Sequence, residues 1–285
     1  MASHLSLGAF TLHRSWTDPQ VNDDLSGGTV AAQIMLVGAS SVVSLIAITN
    51  DAYPSHHGLP PQLRQYTLPP PGEDVSTIRP TRVVDLVGFD DTEGVALVST
   101  AADGSITLAV TEERRLDLGI ITLPPLSPTG ADGVQRLSIS RTDAGSRILP
   151  LGITPQSLGN KGAEGVAYDA AEGALYALIE KGPMRILRVD MASGQITEPF
   201  DAQSVLSPAG ASDLAGVYFD PVYRNLIFLS QEASLLVQTT LDGQLIDTLH
   251  VAGEQPEGIA ISPDQRSLYV ISEPNQIFEY IRQDR

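Results

Sequence analysis

One short pattern recurs along the chain and limits what it can fold into. A small or acidic residue followed by glycine appears as Ser26-Gly27, Glu93-Gly94, Glu164-Gly165, Ala215-Gly216 and Glu257-Gly258. Residues suited to strands follow each of the last four, as in Val95-Ala96-Leu97, Val166-Ala167-Tyr168, Val217-Tyr218-Phe219 and Ile259-Ala260-Ile261. A turn comes next, then a second apolar run that ends in a polar cluster. The clusters are Thr49-Asn50-Asp51, Thr111-Glu112-Glu113, Glu180-Lys181, Ser230-Gln231-Glu232 and Ser272-Glu273-Pro274-Asn275. Units at a spacing of roughly 40–70 residues fit propeller blades carrying loop insertions.

The local signals agree with an all-β chain. Ile106–Val110, Leu175–Ile179, Leu226–Leu229 and Leu268–Ile271 are β-rich runs bounded by turn residues. Leu235–Thr240 and Leu245–Val251 flank Asp242-Gly243, a hairpin signal because glycine accepts positive φ. The 20 prolines and 25 glycines are spread out, and no helix of three turns is expected. Val30–Val37 fits a strand or a helix. Ala52–Gly72, Pro124–Gly133 and Ala144–Gly159 are rich in Pro, Gly or Ser and read as surface loops.

A blade is a four-stranded antiparallel sheet with its first strand against the axis. The X-Gly pair opens that inner strand, and the polar cluster closes the second, so both face one rim. The last unit supplies three strands, from Glu257, through Ile271, and over Ile277–Ile281. Leu5–Trp16 precedes the first pair and can complete that blade, removing an open edge. The expectation is a five-bladed β-propeller formed by residues 1–285 as a single domain, closed by its N-terminal strand.

The stretches Phe89–Val95, Val110–Arg114, Asn160–Gly165, Gln255–Ala260 and Ser272–Asn275 resemble the SdiA-regulated, YjiK-like family. That family is distantly related to NHL-repeat propellers. The resemblance implies a five-bladed propeller with a calcium site and a bacterial source. Ala215 departs from it where Ser or an acidic residue is usual, and the first blade carries a Pro/His insertion.

The chemistry of the repeat follows from its acids. Glu93, Glu164 and Glu257 hold the same position in three units and should converge near the axis. Carboxylates crowded in a partly buried place cannot all stay ionised without a cation. Calcium suits hard oxygen ligands and loose geometry, and Ser26 and Asp213 stand where they can add oxygens. The axial cation of six-bladed metal-dependent lactonases offers an analogy. Alternatively, the glutamates cap backbone amides or pair with arginines between blades. A second ring of Asn50, Asp51, Glu112, Glu113, Glu180, Glu232, Glu273 and Asn275 lines the polar mouth or is simply solvated.

The function expected is a calcium-binding propeller serving as a binding or scaffold module. The alternative is a metal-dependent hydrolase of lactonase or phosphoesterase type, with His56, His57 or a rim carboxylate as base on a metal-bound water. The partner is expected to be a small molecule or protein at the acidic rim. A formal charge of −17 argues against nucleic acid, which attracts Lys and Arg. No apolar run reaches membrane-spanning length. With no signal peptide read, the chain is expected to be cytoplasmic as it stands, or periplasmic or extracellular had a leader been removed. The absence of cysteine excludes disulfides and thiolate metal sites.

Overall fold

The structure, a computed structural model, describes residues 4–21, 33–37, 40–49, 60–70, 73, 75–127, 131–154 and 161–283, with backbone alone for 33–37 and 40–43. Ser26, Asn50, Asp51, His56 and His57 lie outside the described residues.

The described strands form five sheets arranged as blades. An N-terminal strand, β1 (Phe10–Thr17), is reserved for the last of them. Blade one comprises β2 (Gln33–Val37), β3 (Ser40–Thr49), β4 (Gln62–Thr67) and β5 (Pro80–Val87). Blade two has β6 (Val95–Thr100), β7 (Ile106–Glu112) and β8 (Asp117–Leu123). The chain then adds β9 (Gln135–Ser140) to blade one, parallel to β5, and returns to finish blade two with β10 (Arg147–Pro150). Blade three is β11 (Ala163–Asp169), β12 (Ala174–Ile179), β13 (Arg185–Asp190) and β14 (Ile196–Thr197). A single-turn helix, α1 (Ala202–Leu206), is capped by Asp201 and leads to blade four. That blade is β15 (Gly216–Asp220), β16 (Asn225–Ser230), β17 (Leu235–Thr240) and β18 (Leu245–His250). Blade five is β19 (Gln255–Ile261), β20 (Ser267–Glu273) and β21 (Gln276–Arg282), and β1 pairs antiparallel to β21 to complete it.

The expected closure and blade order are therefore observed, and the Val30–Val37 ambiguity resolves to a strand over its described part. Two of the expected loops are corrected. Gln62–Thr67 is a strand inside the Pro-rich Ala52–Gly72 segment, and Arg147–Pro150 is a strand inside Ala144–Gly159. Proline at the last position of an edge strand removes no ladder bond, which is why the composition was misleading there.

Packing explains the unbroken apolar runs. All of β12, Ala-Leu-Tyr-Ala-Leu-Ile, is buried because a blade is covered on both faces. With period two, Leu175, Ala177 and Ile179 enter the core between blades two and three. Tyr176 and Leu178 enter the next core, between blades three and four. Each seam has its own cluster, and Trp16 from β1 fills the seam between blades five and one.

Near the axis the glycines permit contact between backbones. A Cβ on Gly94 would stand 2.5 Å from the carbonyl oxygen of Glu164. The same relation links Gly165 to Ala215 (2.9 Å) and Gly216 to Glu257 (2.7 Å). Each of these three glycines thus faces the backbone of the X residue in the next blade, a spacing no side chain tolerates.

Candidate metal centre

The inner-strand starts bring one acid from each of three blades to the axis. Glu93 ends the turn that enters β6, while Glu164 and Glu257 lie within β11 and β19. Glu93 is only 8% exposed, and Glu164 and Glu257 are partly buried. None of the three carboxylates has a hydrogen bond or ion pair among the described residues. Their electrostatics close a ring. Burial raises each carboxyl well above the ordinary range. Glu164 adds to this at Glu93, Glu113 and Glu257 at Glu164, and Glu93 at Glu257. Ala215 offers no carboxylate in blade four, as the sequence requires.

A tighter group surrounds Glu93. One carboxylate oxygen from each of Asp91, Glu93 and Glu113 lies within 4.8 Å of the others. Asp91 adopts the left-handed region (φ 53°) and its backbone carbonyl accepts from Glu113 N–H at 2.8 Å. The turn so formed holds both acids beside Glu93. Burial, then a hydrogen bond shared with Glu113, pushes the Asp91 carboxyl up to about 8, despite Arg114 at 2.7 Å. Glu113 Oε1 also accepts from Gly162 N–H across the seam at 3.2 Å. Gly162 has no room for a side chain, since a Cβ there would lie 2.2 Å from the Glu113 carbonyl oxygen.

The remaining expected residues have protein partners of their own. Asp213 is buried and engaged: it accepts from the Ser230 hydroxyl and from Glu232 N–H at 3.2 Å, so it braces the end of β16. Lys181 bridges Glu180 (2.7 Å) and Glu232 (2.8 Å), the local ion pairing its neighbours suggest. Glu112 is fully buried and paired with Arg115 and Arg141, both at 2.8 Å, so it belongs to the structure of blade two. Sequence reasoning assigned Glu113 to the outer ring and did not single out Asp91. The Asp-x-Glu spacing before Gly94 was the available signal.

What this arrangement offers chemically is a set of hard, anionic oxygens with Arg114, on Asp91, as the cation paired with the cluster. A carboxylate as buried as Glu93, with no donor, is costly unless a cation or a proton reaches it. Six to eight such oxygens at variable geometry are what calcium takes, whereas zinc prefers His or Cys.

Comparison with known proteins adds a family. Residues 81–281 match the family described as SdiA-regulated. Among solved structures, a chain of a nidogen/laminin complex is 15% identical with a TM-score of 0.49, over 87% of this chain and 72% of that one. A streptogramin B lyase is 15% identical with a TM-score of 0.40, over 96% and 74%. A protein of unknown function from Bacteroides thetaiotaomicron is 15% identical with a TM-score of 0.46, over 90% and 56%.

Proposed function

The chain belongs to the SdiA-regulated family, and we propose that it is a calcium-binding propeller whose acidic axial mouth serves as a binding or scaffold module. The observation that carries this reading is the buried Glu93 carboxylate, without a partner among the described residues and within 4.8 Å of Asp91 and Glu113 oxygens. Glu93, Asp91 and Glu113 are the proposed inner ligands, with Glu164 and Glu257 completing the shell from blades three and five. Ser26, on the first unit, is the proposed contribution from residues outside those described. Asp213, held by the Ser230 hydroxyl at the start of blade four, is a further proposed oxygen from that blade.

The cation would neutralise acids drawn from blades two, three and five and so hold them in one geometry. Bound there, calcium supplies a Lewis-acidic, oxygen-seeking centre at the mouth. The surrounding Glu180, Glu232 and Glu273 favour a cationic or hydroxylated partner, either a small molecule or a protein. No helix among the described residues is long and apolar enough to cross a membrane.

Calcium titration by calorimetry on chelator-treated protein tests the reading, with a melting curve at each end point. Saturable heat and a raised Tm, both lost in Glu93→Gln and weakened in Glu164→Gln and Glu257→Gln, are expected. No heat and no stabilisation would make the acids supports between blades and overturn the metal.

A further inference from the structure

The opposite rim shows a second repeated device, and it is incomplete in one seam. Inner strands β11 and β15 both end in a fully buried aspartate, Asp169 and Asp220. In the seam between blades three and four, Arg224 reaches back to Asp169 at 2.9 Å. In the seam between blades four and five, Gln265 takes that role, donating to Asp220 Oδ1 at 2.9 Å. Arg224 and Gln265 sit at matching turns with the same left-handed backbone, φ 55° and 57°. The neutral amide serves one oxygen where the guanidinium serves two. Asp220 Oδ2 is left buried without a hydrogen-bond partner.

Other orphaned atoms lie beside it. Asn225 pairs directly with Asp220 across β15 and β16, and with Thr240 across β16 and β17. Gln238 precedes Thr240 by two residues, opposite Ile227, so it shares that face. Ile227 packs in the core between blades four and five, which fixes where the face points. Asn225 Nδ2 and both amide atoms of Gln238 are buried and unbonded, and Gln238 is fully buried. The orphaned set therefore holds two acceptors, Asp220 Oδ2 and Gln238 Oε1, and two donors, Asn225 Nδ2 and Gln238 Nε2.

We infer that the seam between blades four and five is a built site for ordered water, bridging Asp220, Asn225 and Gln238. Water both donates and accepts, so one species answers all four atoms, whereas a bare cation would face the two N–H donors. Buried water characteristically makes about three hydrogen bonds to polar groups that lack protein partners. The bridging joins β15, β16 and β17 at the point where the arginine latch of the previous seam is missing. The site is separate from the axial acids, and metal binding there does not bear on it.

A crystal structure at a resolution that shows single waters tests this. Water oxygens at about 2.7–3.2 Å from at least two of these three side chains are expected. Direct bonding of Gln238 to Asn225 or Asp220 with no water between would overturn it. So would an ion with a shell of oxygens at about 2.4 Å. Gln238→Met gives an independent readout. A water-bonded amide predicts a fall in Tm of several degrees, while a rise would mean a dry seam and overturn the site. If that variant does not fold, oxygen-17 relaxation dispersion of the unaltered protein decides, and the absence of long-lived internal water overturns the inference.

Discussion

Gly94 of blade two lies against the carbonyl of Glu164 in blade three, with Thr111 as the relay between them. Gly94 N–H donates to Thr111 Oγ1 at 2.6 Å, and the Thr111 hydroxyl donates to Glu164 O at 2.5 Å. Gly94→Ala forces a Cβ into backbone that cannot yield. It is expected to cost about 1–3 kcal/mol or more, read from the denaturant midpoint.

Thr111→Val keeps the shape and removes the hydroxyl. It leaves the Gly94 N–H and one side of the Glu164 carbonyl without this bond in a buried place. A loss of about 1–3 kcal/mol is expected, with little change in the slope of the denaturant transition.

The axial acids set a pH dependence. Glu93, Glu164 and Glu257 titrate above their unfolded values, and Asp91 near 8. The folded state therefore holds protons more tightly than the unfolded chain. That stabilisation is full below the unfolded value of about 4 and is lost as pH rises through the folded values. Metal-free protein should show a Tm that falls between about pH 5 and pH 8, and Glu93→Gln should flatten the fall. Calcium, which favours the ionised forms, should reduce the slope or reverse it.

Arg141 ties the β9 excursion to blade two. Its guanidinium pairs with the fully buried Glu112 at 2.8 Å and with Asp117, while its backbone N–H bonds to Val87 of blade one at 2.9 Å. Arg141→Ala leaves Glu112 with Arg115 and the Asp90 amide only. A cost of about 2 kcal/mol is expected in thermal or denaturant unfolding, below the roughly 3–5 of a wholly broken buried pair.

The fold was legible because its devices are local and repeated. The run after Glu164-Gly165 and the turn at Asp242-Gly243 each announce a strand or hairpin within ten residues. What stayed hidden depends on distance. Nothing near Gln135–Ser140 says that it will pair in parallel with Arg82–Val87 in another blade. Gln62–Thr67 was masked by the prolines around it. At the site, Glu93, Glu164 and Glu257 were readable because the repeat numbers them. Asp91 stands at the repeat position that Asp213 also holds, three residues before the glycine, but the left-handed turn that sets it beside Glu93 is not written in that spacing.

Blade five takes its outer strand from one end of the described chain and the other three from the opposite end, with Phe10 paired to Arg282. During synthesis the first strand leaves the ribosome long before its partner exists. At about 5–20 residues per second, the wait lasts on the order of tens of seconds. Trp16, fully buried once the ring shuts, lacks its blade-five neighbours Ala260, Tyr269, Ile271 and Ile277 throughout that interval. Ring closure therefore waits for β21, and until then the nascent chain has to keep an unpaired, apolar edge from finding the wrong neighbour.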